Sequence, residues 1–373
     1  MPQYSSFINL KRDIERGKQI VLFVGAGVNM TSSPAINLSW DSLLVDLFSN
    51  ALRYLAIEKD IAAQELSIIR SAIDRRCLIG SEKLCKELFQ LNADIDYEFS
   101  PLVKASLIKE ILGNNYISSI QQFLYGQCSK ELIRNNFFKA YTLQKCNNSD
   151  AYHPFYTLYV IARFIILYPY VRAIVSYNYD NFLKVAINIL LDNKEEFFTE
   201  DELERIRMRN FAIQDISGME YNQELKNGIL PIYHVHGYIP SPSESFINDN
   251  NNIVLTMDEY HENEKNNYSW PTATQLHFLS HYTCILAGMS LTDPTPLRML
   301  YHARQNGNDD KIYYLTASDA AHMEDEKYQR AYNSMRAIKN LCHSRCGLEL
   351  IYNEIGYYQL YNELNKIIDN IKS

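Results

Sequence analysis

The chain has 373 residues, 47% of them apolar, and can bury a large core as one big domain or two smaller ones. Its formal net charge of −8 argues against a broad nucleic-acid surface, because neutralising phosphates takes clustered Lys and Arg; no direct sequence-specific contact with nucleic acid is expected. The longest mainly apolar runs, residues 156–168 and 186–191, fall short of the about 20 residues that a membrane-crossing helix needs, so no membrane span is expected.

The N-terminal stretch carries Lys11, Arg12, Asp13, Glu15 and Arg16 where a signal peptide would need an apolar centre, which predicts a cytoplasmic location. Residues 19–24 form a short β-branched run ending in Gly25-Ala26-Gly27, the pattern of a buried strand followed by a tight turn. From about residue 40 to residue 167 no comparable run occurs. Residues 40–56, 60–75 and 101–112 instead space their apolar side chains as helices do. Strand-like runs return at 172–177, 231–235, 253–256, 283–287, 311–316 and 348–352, most of them followed by a helical pattern. Thr199-x-x-Glu202 has the form of a capping box opening a helix, and residues 248–252 read as a polar loop.

Alternating strands and helices predict an α/β fold, a Rossmann-like, mainly parallel sheet flanked by helices. The first strand is separated from the others by a large all-helical insertion. The predicted division is therefore a split core, about residues 1–40 plus 168–373, and an insertion at residues 41–167.

Seven cysteines, Cys77, Cys85, Cys128, Cys146, Cys284, Cys342 and Cys346, lack the regular spacing of a disulfide framework, so reduced thiols are expected. Cys342 and Cys346 lie close together, but His343 alone does not complete a four-ligand zinc site, and no metal is expected.

Four clusters at strand ends could carry chemistry. Gly25-Ala26-Gly27-Val28-Asn29 could bring backbone N–H groups up to a pyrophosphate, although the third glycine of the dinucleotide fingerprint is missing and an ordinary turn reads equally well. Ser176-Tyr177-Asn178-Tyr179-Asp180-Asn181 offers an amide and a carboxylate that could grip a ribose hydroxyl, a carboxamide or a water; alternatively Asp180 or Asn181 caps the helix at 181–191. In His234-Val235-His236-Gly237, period-two geometry would put both imidazoles on one face, as a catalytic base or as satisfied structural groups. In Gly288-Met289-Ser290-Leu291-Thr292-Asp293-Pro294, Ser290 could touch phosphate or ribose, with capping by Thr292 or Asp293 as the plainer role.

The order Gly-Ala-Gly, Ser-Tyr-Asn-Tyr-Asp, His-Gly and Gly-Met-Ser resembles the sirtuin (silent information regulator) superfamily, whose motifs run Gly-Ala-Gly-x-Ser, Thr-Gln-Asn-Ile-Asp, His-Gly and Gly-Thr-Ser. Asn178, Asp180 and His236 match position for position. Leu255-Thr256-Met257-Asp258-Glu259-Tyr260 and Ser290-Leu291-Thr292-Asp293-Pro294 look like segments of the bacterial sirtuin-like proteins of phage defence. The resemblance covers the α/β core and not the insertion. The four-cysteine zinc ribbon and the Pro-Asp-Phe-Arg stretch of the protein deacylases are absent, and Tyr177 stands where Gln is usual.

The resemblance implies an NAD+ hydrolase that splits the nicotinamide–ribose bond to give nicotinamide and ADP-ribose, an NAD-depleting effector of antiviral defence and abortive infection. It implies NAD+ as substrate and no further cofactor. Gly25, Ala26, Gly27, Asn29, Tyr177, Gly288 and Ser290 would bind it, Asn178 and Asp180 would hold the ribose and the attacking water, and His236 would be the general base. Since unrestrained cleavage would kill the host, it also implies control through homo-oligomerisation or an activating protein such as a HerA-type ring ATPase, with the insertion as assembly surface. The alternatives are a non-catalytic NAD or ADP-ribose-binding regulatory subunit and an NAD-dependent protein deacylase.

Overall fold

A computed structural model describes residues 3–29, 38–58, 101–126, 128–145, 155–209, 212–217, 228–242, 244, 253–265, 269–291, 294–305, 311–317, 330, 332, 334, 340, 342–343, 346–353 and 356–370. The predicted helix at 60–75, the polar loop at 248–252, the caps Thr292 and Asp293, and Cys77, Cys85 and Cys146 lie outside the described residues.

Helix α1 (Gln3–Glu15) leads into β1 (Ile20–Val24), whose five side chains are all buried. Burial on both faces is what an uninterrupted apolar run requires in a central parallel strand. Helices α2 (Trp40–Glu58), α3 (Pro101–Leu112), α4 (Tyr116–Gly126), α5 (Lys130–Lys145) and α6 (Tyr156–Leu167) follow before β2 (Val171–Ser176). Then come α7 (Phe182–Asp192), α8 (Glu200–Arg209), β3 (Ala212–Ile216), β4 (Ile229–His234), α9 (Met257–Lys265), α10 (Trp270–His281), β5 (Thr283–Ala287), α11 (Pro294–Gln305), β6 (Ile312–Ala317), β7 (Leu348–Asn353) and α12 (Tyr357–Asp369). The seven strands form one sheet in the order β3-β4-β2-β1-β5-β6-β7, with every pairing parallel. This is the expected Rossmann-like α/β architecture, with helices between the first and second strands.

The described residues separate into two compact units. One comprises Met1–Asn37, Ser129–Tyr238 and Asn267–Ser373 and holds the sheet; the other comprises Leu38–Cys128 and Ile239–Asn266. In the sheet unit every residue of α6 is buried, which explains an apolar run with no polar stripe, and the helix packs against α7 and α12. Its Arg163 is matched by Glu202 on α8 and by Asn365 and Asp369 on α12, the last two each 2.6 Å from Nη1. The predicted capping box is formed: Thr199 N–H donates to Glu202 Oε2 at 2.8 Å, and Glu202 N–H to Thr199 Oγ1 at 3.4 Å.

In the second unit, residues 253–256 are not the strand their sequence predicts. Thr256 and Glu259 form another capping box at the start of α9, in which Glu259 Oε2 accepts the N–H groups of Leu255 and Thr256 at 2.8 and 2.7 Å. Thr-x-x-Glu after a short apolar run is a helix-start signal, and here it outweighs β-propensity. Lys109 Nζ on α3 lies 2.6 Å from Glu259 Oε1. No helix among the described residues is long and apolar enough to cross a membrane.

Candidate functional site

The strand register lines up the sequence clusters. Val24 pairs with Ser176 on one side and Ala287 on the other, and Ser176 pairs with His234, so β4, β2, β1 and β5 end level with one another. The chain runs outward from β1 in both directions, β2, β4 and β3 to one side and β5, β6 and β7 to the other. The carboxyl edge beside β1 is therefore a topological switch point, the place where open α/β sheets bind ligands.

The glycines at this edge serve close approach of two loops. Gly25 N–H donates to Ala287 O at 3.1 Å and Gly27 N–H to Gly288 O at 2.8 Å. A Cβ on either Gly25 or Gly27 would stand 2.7 Å from the Gly288 backbone, which explains their glycine identity by packing alone. Val28 and Asn29 donate their N–H groups to Gly25 O and Ala26 O at 3.1 and 3.0 Å. Four N–H groups of the turn thus already have partners inside the protein, while Ala26 is exposed at its rim. On the facing loop Ser290 is exposed, and Met289 O accepts the Tyr314 hydroxyl at 2.8 Å.

Asn178 and Asp180 are buried just beyond β2. Asn178 Nδ2 donates to Gly25 O at 3.2 Å and its N–H to Ser176 Oγ at 3.1 Å, tying the end of β2 to the glycine turn. Asp180 Oδ1 accepts the Phe182 N–H at 3.0 Å, so it does cap α7, and Oδ2 accepts Asn29 Nδ2 at 2.9 Å. Asn29, 2% exposed, joins the site as the carboxylate's donor, and its Oδ1 has no hydrogen-bond partner among the described residues. Both the capping role and a place beside the other site residues belong to Asp180.

Burial pushes the Asp180 carboxyl up to about 6, against the pull of the Phe182 N–H, the charge of His234 and the Asn29 amide. Because this folded-state value lies above the ordinary 3.8, the folded chain holds the proton more tightly. Stability from this group is fully present below pH 3.8, is lost as pH rises to about 6, and stays lost above that. Asp180→Asn should remove the cost, since Asn29 can turn its amide to offer Oδ1 to the new NH2 group. The variant is expected to be about 3 kcal/mol more stable than the parent at pH 8, with the difference vanishing towards pH 4. Thermal melts of both proteins across that range check this; a variant less stable than the parent at pH 8 would contradict it.

The histidines part company. Strand β4 stops at His234, and Val235 and His236 form a turn before Gly237 at φ 94°, so period-two alternation does not extend to His236. His236 is 5% exposed and packs edge-on against the Tyr177 ring, with centroids 4.8 Å apart. Tyr177 donates its hydroxyl to Gln275 Oε1 at 2.5 Å, and Gln275 Nε2 donates to Pro271 O at 3.0 Å on α10. His234 instead meets Asp215 on β3 and the backbone oxygen of Asn178. Asp215, Lys184 and Gln275 escaped the sequence reading. Gln275 has no motif around it, whereas an Asp in an Ile-Gln-Asp-Ile run beside apolar neighbours could have flagged Asp215.

Fold and site together define an α/β chain with buried polar groups gathered at the switch point of a parallel sheet, the class of site that holds nucleotides. Residues 172–338 match the family of the SIR2-like domain, a stretch that includes Asn178, Asp180, His236, Gly288 and Ser290. This match supports a member of the sirtuin-like superfamily and suggests NAD-related activity in general. No curated protein matches the chain.

Proposed function

We propose that the protein is an NAD+ glycohydrolase that acts as an NAD-depleting effector of antiphage defence in the cytoplasm. The observation that carries this reading is the gathering of Asn178, Asp180 and His236, each under 9% exposed, at the ends of β2 and β4 within the SIR2-like segment. Binding alone would not call for both a buried imidazole and a buried carboxylate at one sheet edge.

Cleavage of the nicotinamide–ribose bond develops positive charge on an oxocarbenium-like sugar while a good leaving group departs, so no strong nucleophile is needed. In the proposed reaction the C–N bond breaks and its electron pair leaves with nicotinamide. Water forms the new bond to the ribose carbon, and one water proton passes to His236, as suits a group that titrates near neutrality in general. Asn178 and Asp180 hold the ribose and this water. The engaged N–H groups of the glycine turn leave the outer rim at Ala26 and the loop of Gly288 and Ser290 to face the pyrophosphate. No metal and no cofactor beyond the substrate enters the proposal. Self-association or an activating protein, such as a HerA-type ring ATPase, would hold the activity off until infection.

The test is NAD+ loss with release of nicotinamide and ADP-ribose by the purified chain, alone and with a candidate ring ATPase. Asn178→Ala and His236→Ala are each expected to lower the rate by at least about 10²-fold. A His236→Ala protein consuming NAD+ at the parent rate would refute the assignment. NAD+ that binds but stays intact in every condition would favour a nucleotide-sensing subunit, and consumption that depends on an acylated peptide would favour a deacylase.

A further inference from the structure

A row of charged groups backs the site without taking part in the proposed chemistry. Lys184 Nζ on α7 is 2.7 Å from Asp215 Oδ2 on β3, Asp215 Oδ1 is 3.0 Å from His234 Nε2 at the end of β4, and His234 Nδ1 is 3.1 Å from the backbone oxygen of Asn178. Three elements therefore converge behind one peptide group at the end of a fourth. The two partners of the His234 ring are a carbonyl and a carboxylate. Both only accept when the carboxylate is ionised, so donation to the two together takes an N–H on each ring nitrogen. His234 is 2% exposed, and a charge buried to that degree is costly without a counter-charge. Burial alone would push the Asp215 carboxyl up, but the hydrogen bond and charge of His234 and the charge of Lys184 outweigh it and hold it below its ordinary range.

We infer that Asp215 and His234 are positioning residues of the cleavage site, a clamp that fixes the Asn178 peptide. The clamp rests on the roles proposed for Asn178 and Asp180. Among the described residues, the charged groups that act on it are Asp215 from β3, Lys184 from α7 and Asp180 from the loop after β2, with the Tyr238 ring packed against the imidazole at 4.7 Å. This also accounts for an acidic residue on an edge strand whose remaining side chains are exposed or half-buried.

The experiment uses the full chain with His234→Gln, which puts a neutral amide in place of the imidazole, and Asp215→Asn, which keeps an acceptor for His234. With NAD+ as probe, His234→Gln is expected to lower the cleavage rate about 10²-fold, the scale of a misplaced reacting group, and Asp215→Asn to lower it less. Without its positive neighbour Asp180 becomes harder to ionise, so the acid limb of the pH–rate profile should move to higher pH in His234→Gln. A second readout needs no turnover. The upper end of the pH window over which Asp180→Asn gains stability over its Asp180 counterpart should move upward when both carry His234→Gln, while the lower end, set by the unfolded chain, stays in place. A merely structural His234 would lower the melting temperature without moving either pH dependence, and unshifted profiles would overturn the clamp. If the parent never cleaves NAD+, the proposed function fails on its own, while the stability titration still decides the clamp.

Discussion

Arg163→Met is expected to lower unfolding free energy by about 3–5 kcal/mol, the usual consequence of stranding a buried counter-charge. Arg163 is 5% exposed on α6, and its partners Glu202 and Asn365 are 5% and 2% exposed, so neither can turn to water when the guanidinium is gone. Asp369, whose side chain is 42% exposed, can. Most of the loss should therefore come from Glu202, which keeps only its cap bond from the Thr199 N–H. That separation makes the double variant informative. Glu202→Gln still accepts the Thr199 N–H and carries no charge, so Arg163→Met with Glu202→Gln should be more stable than Arg163→Met alone, a coupling that a double-mutant cycle in urea measures. A single-variant loss below about 1 kcal/mol would mean that water reaches Glu202.

The cluster also shows where sequence reading stops. The apolar runs of β1, β2, β4, β5 and β6 were legible because parallel strands covered by helices bury both faces, and composition alone reports that. Strand β3 was not, since an edge strand exposes Ala212 and Gln214 and so breaks the run. Residues 253–256 misled for the opposite reason: three apolar residues and a threonine look like a strand until Glu259 is counted as the far half of a cap. Asn178, Asp180 and His236 were legible as strand-end residues, and all three end up buried at one sheet edge. What joins them was not. Asp215 reaches His234 across 19 positions of sequence and Asn29 reaches Asp180 across 151, and no local period encodes such pairings. The glycine turn reads equally as a cradle for phosphate or as an ordinary turn, and the bonds of its N–H groups to the protein's own carbonyls are a role that only the position of Gly288 reveals.

Gly288→Ala tests that role most directly. Gly288 has φ +63°, and a Cβ there would lie 2.3 Å from Val28 N and 2.7 Å from Gly27 C, backbone atoms that cannot swing aside. The left-handed conformation alone costs an L-residue about 1–2 kcal/mol. Relieving the overlap means parting the two loops, which gives up the bond from Gly27 N–H to Gly288 O, about 1 kcal/mol more, and loosens the Gly25 bond to Ala287. A total of at least about 3 kcal/mol is expected from urea denaturation. Gly113→Ala is the control: its φ is +51° but nothing lies within 4 Å of the new carbon, so only the conformational cost, about 1 kcal/mol, should appear. Equal losses in the two variants would show that the loops at the switch point can separate freely, and the close approach would then explain nothing about Gly25 and Gly27. A clearly larger loss in Gly288→Ala would make the paired loops a rigid floor beside Asn178, whose side-chain amide is bonded to Gly25 O on the β2 side of the same turn.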